Sequence, residues 1–227
     1  MNLLAIDTAA AACGIGVRRG ETVLCRAEPM ERGHAEALLP LINAVMAEAG
    51  LTYASLDAIA VSAGPGAFTG LRIGLAVARG VALAANRPCY GVPTLEALAA
   101  GVRVAAPVAS PILAVLDSKR GDVYAQAFTA TGTPLAPPRN VAAEMLPALL
   151  LPPAGAEVVV AGDVVAVAVE RLAAAGVAAR AAGVGPVAIV AGVLAIAEQH
   201  QRHEIGPLAP PRPLYLRPPA TGPRVAM

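Results

Sequence analysis

The chain has no tryptophan, two phenylalanines and a single lysine, Lys119. Only 15% of its 227 residues are charged, and the formal net charge is +1. A protein that grips RNA by itself shows a basic face. No run of Lys or Arg exists here, so nucleic-acid binding by this chain alone is disfavoured, while contact within a complex stays open. With so few rings, the 56% hydrophobic content rests mostly on Ala and Val. That excludes disorder over most of the length and lets elements approach closely.

Cysteine is scarce as well. Cys13, Cys25 and Cys89 are odd in number and fit no metal knuckle. They read as buried free thiols of a reducing, cytoplasmic compartment. No basic region opens "MNLLAIDTAA" and Asp7 interrupts it, so no secretory signal is expected. The longest uncharged run, Ala181 to Ala197, touches the lower limit for a membrane span. Gly183, Gly185 and Pro186 break its start, which predicts a buried helix opening at Pro186 and no membrane insertion.

What is present is a repeated plan. "LLAID" is a short apolar run ending in Asp7, and "CGIGVRRG" and "ETVLCRAE" alternate like strands around a Gly20 turn. Leu38, Leu41, Ile42 and Val45 recur at helical spacing, and Gly50 is a natural stop. A strand (Leu56–Ser62), a helix (Leu71–Ala85), a strand (Cys89–Val92) and a helix capped by Thr94 (Thr94–Ala100) follow. The order then recurs: "ILAVLDS" ends in Asp117, "DVYAQAF" follows the Gly121 turn, "EVVVAGD" is a further strand, and Val164–Ala175 and Val187–Gln201 are helices. Two copies of one plan predict an α/β fold of two similar lobes, residues 1–105 and residues 106–227. The second copy is thinner, with Pro-rich stretches at Gly132–Pro138 and from Pro207.

Between the lobe's strand and its next helix runs "AGPGAFTGLRIG". Amides and the helix dipole at such a junction can hold an anion. No Gly-Lys-Ser/Thr follows, and the spacing is not that of a dinucleotide loop. A sharp turn with Thr69 near the N-cap is the stronger reading. Behind the loop, Gly70, Gly74, Ala78 and Ala82 form a stripe of small side chains at i, i+4, i+8 and i+12. Such a stripe admits another helix at close range, either from the same chain, such as Leu38–Ala49, or from a partner.

"AGPGAFTGLRIG" closely resembles the GPGSFTGLRIG signature of the TsaB (YeaZ) family, tRNA threonylcarbamoyladenosine biosynthesis proteins. "LLAIDTAAAACGIGV", "RGHAEALLPLINAVMAEAG", "GVPTLEALA", "LDSKRGDVYAQAF" and "PLYLRPP" agree in order. The resemblance implies an actin-like, hexokinase-type ATPase (ASKHA) superfold of two RNase-H-like lobes, the second reduced. It further implies a non-catalytic subunit that pairs with the transferase TsaD, is joined by the ATPase TsaE, and forms a homodimer in isolation. The complex carries threonylcarbamoyl onto N6 of the adenosine beside the tRNA anticodon, so tRNA is met only through the complex. Pairing in the family runs through first-lobe helices. By position the docking residues are His34, Leu38 and Leu41 on one helix, and Leu71, Arg72, Gly74, Leu75, Ala78 and Ala82 on the other. The loop residues Gly64, Gly66, Phe68, Thr69 and Gly70 complete the set.

The catalytic relative carries two metal-binding histidines at i and i+4. This chain has Thr94 and Leu98 at the corresponding positions, so no metal is expected. Asp7 and Asp117 end the first strands of the two lobes, where such acids commonly orient Mg²⁺ or water around phosphates. Lys119 and Arg120 fill the second turn where glycine usually lets phosphate approach. Asp7 is thus a weak nucleotide candidate that reads first as a turn cap. No cofactor is expected in this chain alone, with ATP or ADP at the complex interface. A small-molecule kinase of the acetate or sugar kinase type is the alternative. A metallopeptidase ranks lower, because no HExxH and no nucleophile with a placed histidine is present.

Overall fold

A computed structural model describes residues 1–150 and 156–216. Arg217, Pro218 and Pro219 of the terminal motif lie outside the described residues. The first half lays down β1 (Asn2–Asp7), β2 (Ala12–Arg19) and β3 (Thr22–Pro29), then α1 (His34–Glu48), β4 (Ala58–Ser62), α2 (Phe68–Ala85), β5 (Cys89–Val92) and α3 (Thr94–Ala105). The second half repeats this with β6 (Ile112–Asp117), β7 (Val123–Phe128), β8 (Arg139–Val141), β9 (Val158–Gly162), α4 (Val165–Ala174), β10 (Ala179–Ala181) and α5 (Val187–Gln201). Where the first half has α1, the described residues of the second have a 3₁₀ segment, Ala143–Leu149.

The two sheets have one topology. Their orders are β3-β2-β1-β4-β5 and β8-β7-β6-β9-β10, antiparallel at the meander and parallel beyond the first strand. Gly50, at φ +64°, ends α1 as its position predicts. Thr94 does not cap α3. Pro93 holds that place, and the Thr94 hydroxyl accepts the Gly64 amide at 3.0 Å instead. Ala67 is the N-cap of α2, with Thr69 two residues further on and no side chain capping the helix.

The layers cross the division between halves. α1 and α2 cover one face of the first sheet, and α5 covers the other. α3 lies against β6, β7 and β9 of the second sheet, whose far face meets α4. Each sheet therefore draws a helix from the other half. α3 and α5 make their crossing with backbone nearly on backbone: a methyl group on Gly101 would strike the Ala188 carbonyl, and one on Gly192 the Ala97 carbonyl. The charged link across this core is Arg18 on β2 with Glu198 on α5 at 2.5 Å.

Candidate functional site

The glycine loop is a clamp. The Gly64 amide goes to Thr94, the Ala67 amide donates to the Ala9 carbonyl at 2.7 Å, and the Thr94 amide donates back to Gly64 at 2.8 Å. These three amides are consumed inside the chain and are not offered to a phosphate. A strap from Leu208 to Leu216 presses on it from outside. Ala209 pairs with Gly91 of β5, Arg79 donates to the Pro211 carbonyl, and the Leu214 amide donates to Ala63 at 2.7 Å. The apolar "PLYL" stretch carried the signal for this strap.

The small-residue stripe of α2 faces inward, which corrects the docking surface expected from sequence. Gly70, Gly74, Ala78 and Ala82 are buried within the monomer. A methyl group on Gly70 would meet the Thr8 carbonyl, and one on Gly74 the Thr8 hydroxyl. Gly70 and Gly74 are small because the β1–β2 turn passes directly beneath them, while Ala78 and Ala82 pack in the core. Gly64, Leu71, Leu75, His34, Leu38 and Leu41 are buried as well, so none of them presents an exposed helical docking surface. Phe68, Thr69 and Arg72 are exposed and Gly66 half-buried.

The outer faces of the same helices carry what the stripe was expected to offer. On α2, Ala76, Gly80 and Ala84 repeat at i, i+4 and i+8 and are exposed. A side chain on Gly80 would meet nothing within 4 Å. Leu83 is 85% exposed, and on α1 Leu39 is 47% exposed. Ile73 and Val77 are half-buried alongside. By length and composition α2 could cross a membrane, but its inner face is core and its outer face carries Arg72 and Arg79. The stripe expected at the surface is therefore inside, and the opposite side of the same helix is outside.

A cleft of about 680 Å³ opens between the lobes beside the clamp. Its walls are the N-terminal turns of α1 (Gly33–Glu36) and α2 (Ala67–Gly70), the β6–β7 turn (Ser118–Arg120), Tyr124 and the strap residue Tyr215. No side chain caps either helix. Tyr215 stacks on Phe68 with centroids 5.3 Å apart, and the Arg72 guanidinium lies 3.7 Å over the Phe68 ring while donating to the Tyr215 hydroxyl at 3.1 Å. His34, 7% exposed, also lines the cleft, and its Nε2 has no hydrogen-bond partner among the described residues.

The positions that would carry nucleotide or metal chemistry are otherwise engaged. Asp7 is buried and does not line this cleft; its Oδ1 accepts the Ala9 amide at 3.0 Å, and burial pushes its carboxyl above the ordinary range. Asp117 accepts the Lys119 amide at 2.6 Å and pairs with the Lys119 ammonium at 3.2 Å, while its own amide donates to Asp163. Thr94 is tied to the loop, and Leu98 is core. The thiols of Cys13, Cys25 and Cys89 are free and pushed up to about 11, chiefly by burial. No cluster of His, Cys, Asp and Glu able to hold a metal ion occurs among the described residues.

Residues 28–157, more than half of the chain, match the TsaD family model, described as tRNA N6-adenosine threonylcarbamoyltransferase. The tRNA threonylcarbamoyladenosine biosynthesis protein TsaB of Escherichia coli is 38% identical over 124 residues, covering 55% of this chain and 53% of that protein. The chain thus spans about half the length of the curated relatives it matches. YeaZ from Pseudomonas aeruginosa superposes with a TM-score of 0.75 at 26% identity, covering 95% of this chain and 99% of that one. A ROK hexokinase of Thermus thermophilus, at TM-score 0.50 and 16% identity over 85% of this chain and 97% of its own, shares the fold. The paired sheets are therefore those of the actin-like, hexokinase-type superfold. With that topology, the glycine clamp and these matches together, the chain belongs to the TsaB (YeaZ) family.

Proposed function

We propose that this chain is a non-catalytic, cytoplasmic subunit in bacterial formation of threonylcarbamoyladenosine in tRNA. It pairs with a TsaD-type transferase and supports a TsaE-type ATPase, and the transferase does the chemistry. One observation carries the reading: α2 exposes Leu83 beside the unobstructed Gly80, and α1 exposes Leu39. Exposed apolar groups on a smooth helical surface favour a close-packed partner. The same face accounts for a homodimer when the transferase is absent. Thr94 and Leu98, both committed to packing, support a site without metal. The Asp117–Lys119 pair likewise leaves no open seat for phosphate, which disfavours the kinase reading. ATP or ADP then belongs at the subunit boundary.

The test is reconstitution of tRNA modification from purified transferase, ATPase and adenylate donor, with and without this chain, beside ATP turnover by this chain alone. Modification that requires the chain, with no solo turnover, is the expected result. Solo phosphorylation of a small substrate would establish the kinase instead.

A further inference from the structure

The cleft between the clamp and the β6–β7 turn has chemistry that the outer helical face does not use. Arg32, Lys119 and Arg120 stand around it, and neither arginine has an ion-pair partner among the described residues. The uncapped first turns of α1 and α2 add partial positive charge at its wall. Tyr215, 38% exposed, is held in place by the Arg72–Phe68 stack, so one ring face is presented at little entropic expense. His34, 93% buried by difference from its 7% exposure, leaves Nε2 unpartnered. An aromatic plane beside fixed cations recognises a base joined to a phosphate.

Two observations separate a nucleotide within a strand from a free triphosphate. The Gly64 and Ala67 amides are spent on Thr94 and Ala9, so the donors that α2 offers at this wall are those of its uncapped first turn, which suit one phosphate better than a wrapped chain of three. Glu31 and Glu36 also stand at the cleft, where they repel a dense anion far more than a single phosphodiester charge. We propose that this cleft receives one unstacked nucleotide of an RNA loop. Its base lies on Tyr215, and its phosphodiester meets Arg32, Arg120 and the helix N-termini. The identity of that RNA as tRNA rests on the proposed function; the chemistry of the cleft does not. Binding is weak in the isolated chain, because two arginines act without a wider basic surface, Lys119 being held by Asp117.

The experiment is photo-crosslinking of the purified full chain to a short RNA hairpin with thiouridine in its loop, followed by peptide mapping and titration against salt. Crosslinks are expected in the peptides containing Arg32, Tyr124 or Tyr215. Combining Arg32→Glu with Arg120→Glu, both at exposed sites, lowers affinity at least tenfold. It also flattens the salt dependence by roughly 0.7 per lost contact. Tyr215→Leu lowers affinity about tenfold through lost stacking, while Arg139→Glu on β8 changes neither readout. The double charge variant carries the test if Tyr215→Leu loosens the strap, and thermal melting reports on that. Crosslinks elsewhere, equal crosslinking of a fully paired duplex, indifference to the charge reversals, or displacement by ATP at equal concentration each overturns the proposal. Subunit pairing is measured separately with Leu83→Glu, so failure of the docking reading and failure of the cleft are distinguishable.

Discussion

The two faces of α2 are made of similar residues and do opposite things. Gly70, Gly74, Ala78 and Ala82 line the inner face, and Ala76, Gly80 and Ala84 the outer one. Beneath Gly70 and Gly74 runs the β1–β2 turn, with Thr8 at the sites where side chains would stand, and Ala78 and Ala82 pack in the core. Above Gly80 there is open space. Small residues inside are dictated by a neighbour already present. A glycine in an exposed helix interior destabilises the monomer and gains nothing within it. The outer glycine is therefore not explained by packing within the monomer, which agrees with the docking face proposed above.

Charge placed on each face breaks the comparison most sharply. Ala78→Arg puts an unpaired cation in the core, so loss of more than about 3 kcal/mol of stability is expected. Urea unfolding or simple loss of soluble protein measures it. Leu83→Glu on the outer face leaves stability within about 0.5 kcal/mol. It weakens pairing with the transferase by roughly 2 kcal/mol, about thirtyfold in Kd, read by calorimetry. A folded Ala78→Arg protein that merely fails to pair would restore the stripe as the interface.

Smaller changes sharpen the contrast. Gly80→Ala stabilises the isolated chain by about 1 kcal/mol through helix propensity while lowering its affinity for the partner. A gain on both measures would mean that nothing packs over Gly80. Asp7→Asn retains an oxygen for the Ala9 amide and removes a buried charge. The folded-state pKa of Asp7 is raised, so ionisation opposes folding as pH rises above the ordinary Asp value of 3.8. The variant therefore melts higher than the parent at neutral pH, and the advantage shrinks as pH falls toward that value. Complex activity stays unchanged; a loss of modification would make Asp7 a nucleotide ligand.

Much of the fold was legible. Apolar runs ending in Asp7 and Asp117 gave the first strands of both sheets, and the Gly20 and Gly121 turns gave the strand pairs that follow. The helix at Val187–Gln201 was placed to the residue. The exchange of α3 and α5 was not legible, because helical spacing defines an apolar face without naming the sheet it will meet. The cleft was hidden for a similar reason: Arg32, Arg120 and Tyr215 are far apart in the chain and meet only when the lobes and the strap close.

By itself, then, the sequence determined the two-lobe plan and the family. Periodicity and turn chemistry are local properties written in consecutive residues. Which side of α2 is inside, which half covers which sheet, and whether Asp7 meets solvent were decided by packing. A stripe of small side chains is compatible with any close neighbour, and only the assembled layers put Thr8 under one face of α2 and left the other open.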